Sequence, residues 1–308
     1  MTVTLNPAVD KTYTTQGLIV GNVNRMRTVM NIAGGKGVNV TKILRQYEYE
    51  VGAVGFLGGY SGRFIEEELE RRGVECRFVH VEGETRSNIN ILADDGYVTE
   101  ILEPGPTISD EQQDAFLKRY DALLRECGLV VLSGSVALGL DSDIYEKLIV
   151  RAVEESVPVY LDSSGEGMRR GLRAKPQLIK PNWRELEYIV GHRLKKREEI
   201  IESAQFLRSM GIDRVIVSMG RKGLLSVTEQ GVLHAKPPKI DAVNTVGCGD
   251  SVVASYAMSY MKGETEEQAI VRACAVSAAN ATTVESANIP LETAEDFMNK
   301  IIVEKVDV

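Results

Sequence analysis

The 308-residue chain predicts an α/β protein: a doubly wound, mostly parallel sheet sandwiched by helices, with a small β-sheet lid. Three observations carry that reading. From about residue 34 onward, short apolar runs alternate with amphipathic stretches of helical period, as buried parallel strands covered on both faces require. Loops rich in glycine and serine follow several of those runs, at the strand ends where open sheets bind ligands. Two segments, about 10–30 and 86–102, break the alternation with polar/apolar strand patterns and no helix between them. Inserts of that kind suggest a small sheet on one edge, whose apolar face needs cover, so it would act as a lid, a dimer contact or both. With no repeat, low-complexity tract or long linker, residues 1–308 read as one domain carrying those two lid segments.

The elements follow in order. Val3-Thr4-Leu5 opens the chain as a short strand. A glycine turn at 33–37 leads into a helix running through Tyr47. Residues 51–57 form an apolar strand, followed by a helix over 62–72. Residues 129–132 form the next strand and precede a helix over 141–155. Residues 157–161 form another, followed by a short helical piece, and a helix over 198–210 leads into a strand over 214–218. Right-handed crossovers then place helices on both faces. Residues 251 to about 283 read as two successive helices, and a last helix spans about 293–303.

Composition excludes several classes. The net charge of −8, from 44 acidic and 36 basic residues, argues against a nucleic-acid partner. A local basic cluster can still hold an anionic small molecule, and Arg25, Arg27, Lys36 and Arg86 are its candidates. No apolar stretch approaches the length of a membrane span, and no basic-then-apolar leader opens the chain, so a cytoplasmic protein without a membrane partner is expected. Cys76, Cys127, Cys248 and Cys274 are scattered without metal-type spacing, and His80, His192 and His234 lie in no ligand-like pattern.

The chemistry-bearing motifs are glycine turns at predicted helix starts. Asn244-Thr245-Val246-Gly247-Cys248-Gly249-Asp250-Ser251 precedes a helical run. Converging amides at such a terminus favour phosphate or a developing anionic oxygen, and Asp250 in the first turn would aim a carboxylate at the same spot. An anion cradle beside a fixed base suits phosphoryl transfer to a hydroxyl, although glycine for the turn and Asp for the cap would look the same. Gly34-Gly35-Lys36-Gly37-Val38-Asn39 allows close backbone approach to a polyhydroxylated ligand, or simply starts a helix. Lys180-Pro181-Asn182-Trp183-Arg184-Glu185 reads either as a capping box, with Glu185 three residues after Asn182, or as a carboxylate near hydrated Mg²⁺. Ser218-Met219-Gly220-Arg221-Lys222-Gly223 is either a hairpin turn into 224–227 or a set of donors for nucleotide phosphates. Gly165-Glu166-Gly167-Met168-Arg169-Arg170-Gly171 has the spacing GxGxxxG, which is wrong for a dinucleotide fingerprint, and a nicotinamide-dependent oxidoreductase built on it would bring Glu166 against pyrophosphate.

Taken in order, Asp10 and the motifs at 34–39, 180–185, 218–223 and 244–250 resemble the ribokinase-like (pfkB-type) carbohydrate kinases, from residue 3 to about 285. Residues 4–10, 21–25 and 84–88 are similar to the phosphosugar branch, the 1-phosphofructokinases and tagatose-6-phosphate kinases. The resemblance implies an enzyme that uses ATP and Mg²⁺ to phosphorylate a ketose monophosphate to a bisphosphate, with fructose 1-phosphate ahead of tagatose 6-phosphate. A non-catalytic sugar-phosphate sensor is the alternative from another class. The resemblance implies Asp250 as base and the amides of Gly247, Cys248 and Gly249 as anion hole; at a helix N-terminus that carboxylate should stay ionised and so be a weak base. Asp10, Gly35, Lys36 and Asn39 would meet the sugar, while Arg25, Arg86 and Ser135 would hold its existing phosphate. Lys180, Asn182, Ser218, Gly220, Gly223, Gly249 and Asn280 would line the ATP side, with Glu185 on Mg²⁺ through water. It also implies small-molecule partners and a homodimer through the lid sheet. The chain departs from the family pattern at Asn244, where Asp is common, at Cys248, and after Ser135, where the usual prolines are missing.

Overall fold

The computed structural model describes residues 1–306, the side chain of Val98 excepted. In chain order the first half comprises β1 (Thr2–Thr4), β2 (Ala8–Thr15), β3 (Thr28–Gly34), α1 (Lys36–Gln46), β4 (Gly52–Gly58), α2 (Gly59–Arg71), β5 (Glu75–Cys76), β6 (Val79–Val81), β7 (Arg86–Ala93), β8 (Val98–Leu102), α3 (Asp110–Leu124), β9 (Val130–Ser133), α4 (Ile144–Glu154) and β10 (Val159–Asp162). The second half comprises α5 (Gly165–Gly171), β11 (Leu178–Ile179), α6 (Trp183–Val190), α7 (Arg197–Ser209), β12 (Arg214–Ser218), β13 (Leu224–Thr228), β14 (Gly231–Lys236), α8 (Cys248–Lys262), α9 (Glu266–Asn280), α10 (Leu291–Met298) and β15 (Ile302–Val306).

Ten of the strands form one path in the order β15-β14-β13-β12-β11-β10-β9-β1-β4-β5, with β6 paired to the far end of β4. From β12 through β5 every pairing is parallel, and the three pairings from β12 out to β15 are antiparallel. The mostly parallel, doubly wound sheet expected from the alternation is therefore present. After β4 the chain crosses to the other side of β1 to add β9, so the winding reverses beside β1. Such a switch point opens a crevice beyond the carboxyl ends of the strands.

The two segments that broke the alternation form a separate four-stranded sheet, ordered β3-β2-β7-β8. Its register pairs Asp10 with Asn88 and Ile32, Asn88 with Leu102, and Asn90 with Glu100. Strand side chains alternate between faces, so Asp10, Asn88, Asn90, Glu100 and Leu102 share one face.

Two helices pack the crevice from below. In α1 every residue from Gly37 to Leu44 is buried, and in α8 every residue from Asp250 to Ser259 is buried. Small residues on α8 (Ser251, Ala254, Ser255, Ala257) allow α1 and α9 to approach it closely. Helices buried on all sides show weak amphipathic periodicity, so α8 and α9 were legible mainly from their glycine boundaries.

The end of the chain differs from expectation. The predicted helix over 293–303 stops at Met298, Lys300 N–H turns back to Phe297 O, and β15 pairs antiparallel with β14. The β-branched run Ile301-Ile302-Val303 prefers an extended backbone, and β14 offers an unpaired edge. Helix α4 begins at Ile144, later than the predicted 141. Helix α3, absent from the sequence reading, carries a full capping box between Ser109 and Gln112.

Candidate active site

A cavity of about 550 Å³ opens at the carboxyl ends of β10, β11 and β12, between the small sheet and the tip of α8. Its walls include Asp10, Gly35, Lys36, Asn39 and Arg86 on one side, and Lys180, Asn182, Glu185 and Ser218 on the other, with Gly247, Gly249 and Asp250 at the base. Three separated glycine-turn motifs of the sequence therefore meet in one crevice.

The tip of α8 is built by its glycines. Gly247 caps the helix at φ 83°, in the left-handed region, where a Cβ would also lie 3.1 Å from Ala287 N. Asn280 braces this turn from behind, its amide donating to Val246 O at 2.8 Å and its oxygen accepting from Ala287 N–H at 2.8 Å. Asn244 does the same from the other side, donating to Val284 O and accepting from Val246 N–H. Asn280, expected on the ATP side, is thus a buried brace outside the cavity lining, and Asn244 holds the same turn. The amides of Gly247, Gly249 and Asp250 find no partner among the described residues, as expected of a free helix N-terminus. The Cys248 N–H, expected in the anion hole, is already donated to Thr245 O at 3.3 Å, and the Cys248 thiol faces Ser277 O. Two expected amides and one unexpected one make the cradle.

Asp250 is buried beside them. Asn39 Nδ2 donates to its Oδ2 at 2.8 Å, which joins the glycine turn of α1 to the tip of α8. Burial pushes the Asp250 carboxyl up to about 6, with the negative charge of Asp162 adding to the rise while Lys36, Asn39 and Lys180 oppose it. The helix terminus alone would have kept this carboxyl low, so desolvation corrects the sequence-based expectation of a weak base. At neutral pH it is ionised yet a better proton acceptor than an exposed aspartate.

Between Asp250 and the loops after β11 and β12 lies a charge cluster that local sequence signals only half reveal. Asp162, which ends β10 and is fully buried, accepts from Lys36 Nζ at 3.1 Å and faces Lys180 Nζ at 3.3 Å, both on Oδ1. Burial would raise this carboxyl, but the ammoniums of Lys180 and Lys36 outweigh it and hold it below the ordinary aspartate range. Its Oδ2 has no hydrogen-bond partner. Lys36 also lies 3.7 Å from Glu185 Oε1, so its ammonium spans the cavity. A Cβ at Gly249 would be 3.2 Å from Lys180 Nζ, which places that cation against the amide cradle. The signal for Asp162 in the sequence is an acidic residue closing an otherwise apolar strand.

The capping-box reading of the Glu185 motif holds, and the box sits at the cavity wall. Its Oε2 accepts from Asn182 N–H at 2.8 Å and Asn182 Oδ1 accepts from Glu185 N–H at 2.9 Å, a complete capping box, while both residues line the cavity.

On the opposite wall, Asn88 Nδ2 donates to Asp10 Oδ1 at 2.9 Å, and burial pushes the Asp10 carboxyl up. Gly34 makes room for it, since a Cβ there would fall 2.1 Å from Asp10 Oδ2. Asn39 Oδ1 and Asn88 Oδ1 are buried without partners, so each can accept from a ligand hydroxyl. Arg86 uses two N–H groups on Asn6 O and Glu103 O, leaving the rest of its fork toward the cavity. Asn88, Asn90, Glu100 and Leu102 were not singled out in the sequence, because the small sheet's register, unreadable from one chain segment, brings them here.

Several expected residues lie elsewhere. Arg25 sits in the exposed loop between β2 and β3, and Arg27 forms an exposed ion pair with Asp94, so the four-residue basic cluster reduces to Lys36 and Arg86. Both arginines lie beyond the Thr14–Thr28 pair, four residues up the hairpin from Asp10, or about 13 Å at strand rise. Ser135 is outside the lining, 3.4 Å from Asn6 Nδ2. Gly220 is exposed in the β12–β13 hairpin, and Gly223 packs against the Ala235 backbone, so both serve the turn. Helix α5 carries the Gly165 motif outside the cavity, with Glu166 paired to Arg170.

Comparison with known proteins agrees with this geometry. The sequence profile of the "pfkB family carbohydrate kinase" matches residues 3–294. A candidate 1-phosphofructokinase of Thermotoga maritima superposes with a TM-score of 0.91 at 30% identity, covering 99% of each chain. A candidate phosphofructokinase of Staphylococcus aureus superposes at 0.84, also with 30% identity, covering 99% of this chain and 98% of the other. Phosphofructokinase-2 of Escherichia coli, crystallised with potassium, shares the fold at a TM-score of 0.90 and 24% identity, over 97% of each chain. Among the described residues no helix is long and apolar enough to cross a membrane. The enzyme acts on small molecules as an ATP-dependent sugar kinase, and the chain belongs to the pfkB family of carbohydrate kinases.

Proposed function

We propose that the chain phosphorylates a ketose monophosphate to a bisphosphate, with fructose 1-phosphate the first candidate and tagatose 6-phosphate the second. The observation that carries this reading is the Asn39–Asp250 hydrogen bond, because it puts a hydroxyl-binding amide, a buried carboxylate and three free backbone amides around one point. The similarity to a candidate 1-phosphofructokinase at 30% identity supports the order of substrates.

In this reading Asp10, Asn39 and Asn88 hold the sugar hydroxyls and Arg86 its phosphate. The acceptor hydroxyl lies against Asp250, which takes its proton as the new O–P bond forms and the bond from the γ-phosphorus to the bridging oxygen of ADP breaks. The amides of Gly247, Gly249 and Asp250 then face the transferring phosphoryl oxygens, with Lys180 beside them. Phosphoryl transfer passes through a loose transition state, so positioning and charge stabilisation carry most of the rate. No cluster of three metal-ligating side chains occurs among the described residues, but Asp162 and Glu185 both line the cavity and Asp162 Oδ2 is unpartnered. That donor set fits Mg²⁺ held mainly by phosphates and water, which it takes from few carboxylates. When bound, Mg²⁺ neutralises charge on the nucleotide phosphates.

A panel of ketose phosphates with ATP and Mg²⁺, followed by coupled ADP detection, tests the reading. Turnover with fructose 1-phosphate above the other sugars is expected, and absence of turnover with every sugar phosphate removes it. In the same assay Arg86→Ala should raise KM for the sugar phosphate about ten- to a hundredfold with kcat nearly kept, as expected for losing one charged hydrogen-bonded contact. Unchanged KM would move the phosphate elsewhere.

The small sheet also supports pairing of two copies. Val29 and Ile101, on the face turned away from Asp10, and Tyr97 beside them are exposed apolar side chains. A self-complementary contact through that face would cover them. Light scattering after gel filtration should return twice the chain mass; a monomer at micromolar concentration would rule the pairing out.

A further inference from the structure

Among the described residues, Lys42 is the one fully buried lysine that the site chemistry leaves unused. It lies on α1, six residues after Lys36, and is 1% exposed. Its ammonium donates to Ala33 O at 3.0 Å and to Ser286 O at 3.2 Å. Neither carbonyl lines the cavity, but each adjoins a segment that does: one the glycine turn of α1, the other the tip of α8. Ala33 precedes the Gly34-Gly35 turn, which abuts Asp10 and starts the helix bearing Lys36 and Asn39. Ser286 precedes Ala287, whose N–H is held by Asn280, and Asn280 holds Val246 O in the α8 turn. Gly247 packs directly on this segment, with a Cβ there 3.3 Å from Ser286 Cβ.

An ammonium taken out of water costs several kcal/mol unless well bonded, so a lysine at this depth needs a reason. Burial brings its ammonium down to about 8, with Arg72 pushing the same way and Glu285, Asp10 and Glu68 opposing. Apolar side chains would fill the same volume at lower cost. What they could not do is donate to two carbonyls 253 residues apart in the chain (286 − 33 = 253).

Resting on the kinase reading above, we propose that Lys42 is a positioning residue: its ammonium clamps the glycine turn of the acceptor side to the brace of the amide cradle and so fixes the gap across which the phosphoryl group moves. Displacements of about 1 Å in such a gap cost on the order of 100-fold in rate. Because the clamp acts on the alignment of two bound reactants, its loss lowers kcat more than it weakens either substrate.

The test is Lys42→Met in the full chain, compared with wild type in the ADP-coupled assay. Expected is a folded protein with kcat reduced at least tenfold and KM for ATP within threefold of wild type. Lys42→Gln, one atom shorter and able to reach one carbonyl, should fall between the two. A double variant, Lys42→Met with Asn280→Ala, should lose little more kcat than the worse single variant, since both cut the same linkage. A purely structural lysine would lower melting temperature and leave kcat per folded molecule unchanged, and that result overturns the proposal. If Lys42→Met does not fold, Lys42→Gln decides alone: wild-type kcat in that variant overturns the clamp. Inactivity of the wild-type chain toward all sugar phosphates would instead fault the underlying substrate assignment.

Discussion

Asp250→Asn lowers kcat by about 10²- to 10⁴-fold, the range general-base loss produces, while ATP affinity stays within a few-fold. The replacement keeps the side-chain shape and an oxygen for Asn39 Nδ2, so the cavity survives and only proton acceptance is lost. Steady-state kcat and ATP binding by calorimetry check the two halves separately, and a variant turning over within tenfold of wild type ends the base assignment. The pH dependence is a second reading of the same group. Asp250 must be ionised to accept a proton, and its carboxyl lies near 6, so kcat/KM falls as pH drops through about 6 and is level above it. Phosphate groups on the substrates also titrate near 6, which a charge change on the protein resolves. Lys36 is among the groups holding Asp250 down, so Lys36→Met should move the protein's limb upward and leave the substrate's in place. Stability gives an internal control. A carboxyl whose folded value exceeds its ordinary 3.8 gives its full stabilising contribution below 3.8 and loses it as pH rises through about 6. At neutral pH Asp250→Asn should therefore unfold no more easily than wild type, so a rate loss cannot be blamed on unfolding.

How much of this was legible in the sequence depended on the range of the interaction. Asp250, Asn39, Lys180, Asn182 and Glu185 sit in glycine or proline turns whose local chemistry announces a helix start, and the parallel core brings such turns to one edge. Local signals failed where register or tertiary contact decides. Asn88, Asn90 and Glu100 look like ordinary polar positions of a strand, and only pairing to β2 turns them into the cavity. Conversely Arg25 and Arg27 have the right chemistry but sit at the wrong end of their hairpin. Gly220 and Gly223 belong to a motif that looks phosphate-binding, yet Gly223 is required by the approach of β14. The Asp250 proton affinity was misjudged for the same reason: the helix tip is a local feature, whereas burial and the neighbouring charge of Asp162 are products of the whole fold. The final strand was lost because a short apolar run cannot reveal that β14 has an open edge.

Asp162→Asn carries the largest expected cost in stability, because Asp162 is the shared counter-ion of two lysines. It is fully buried, and both Lys36 and Lys180 approach the same oxygen. Breaking a buried pair by removing one partner costs about 3–5 kcal/mol, since the remaining charge is left without compensation. Lys180 is nearly as buried as Asp162, but Lys36 is about a third exposed and keeps Glu185, so the expected loss is at the low end, about 3 kcal/mol. Urea unfolding at pH 7.5 measures it. The sign with pH follows from a carboxyl held below its ordinary range: its contribution is full above about 3.8 and is lost as acid protonates it in the fold. The difference between wild type and variant should thus persist from pH 8 to 5 and close only in strong acid. The same substitution removes a negative charge beside Asp250, so the acid limb of kcat/KM should move below 6, opposite to the Lys36→Met shift. Opposite displacements from two neighbours of one carboxyl would be hard to obtain unless Asp162, Lys36 and Asp250 titrate as one electrostatic unit. A variant that is as stable as wild type and has its limb unmoved would show instead that solvent screens the cluster and that Asp250 gets its proton affinity from burial alone.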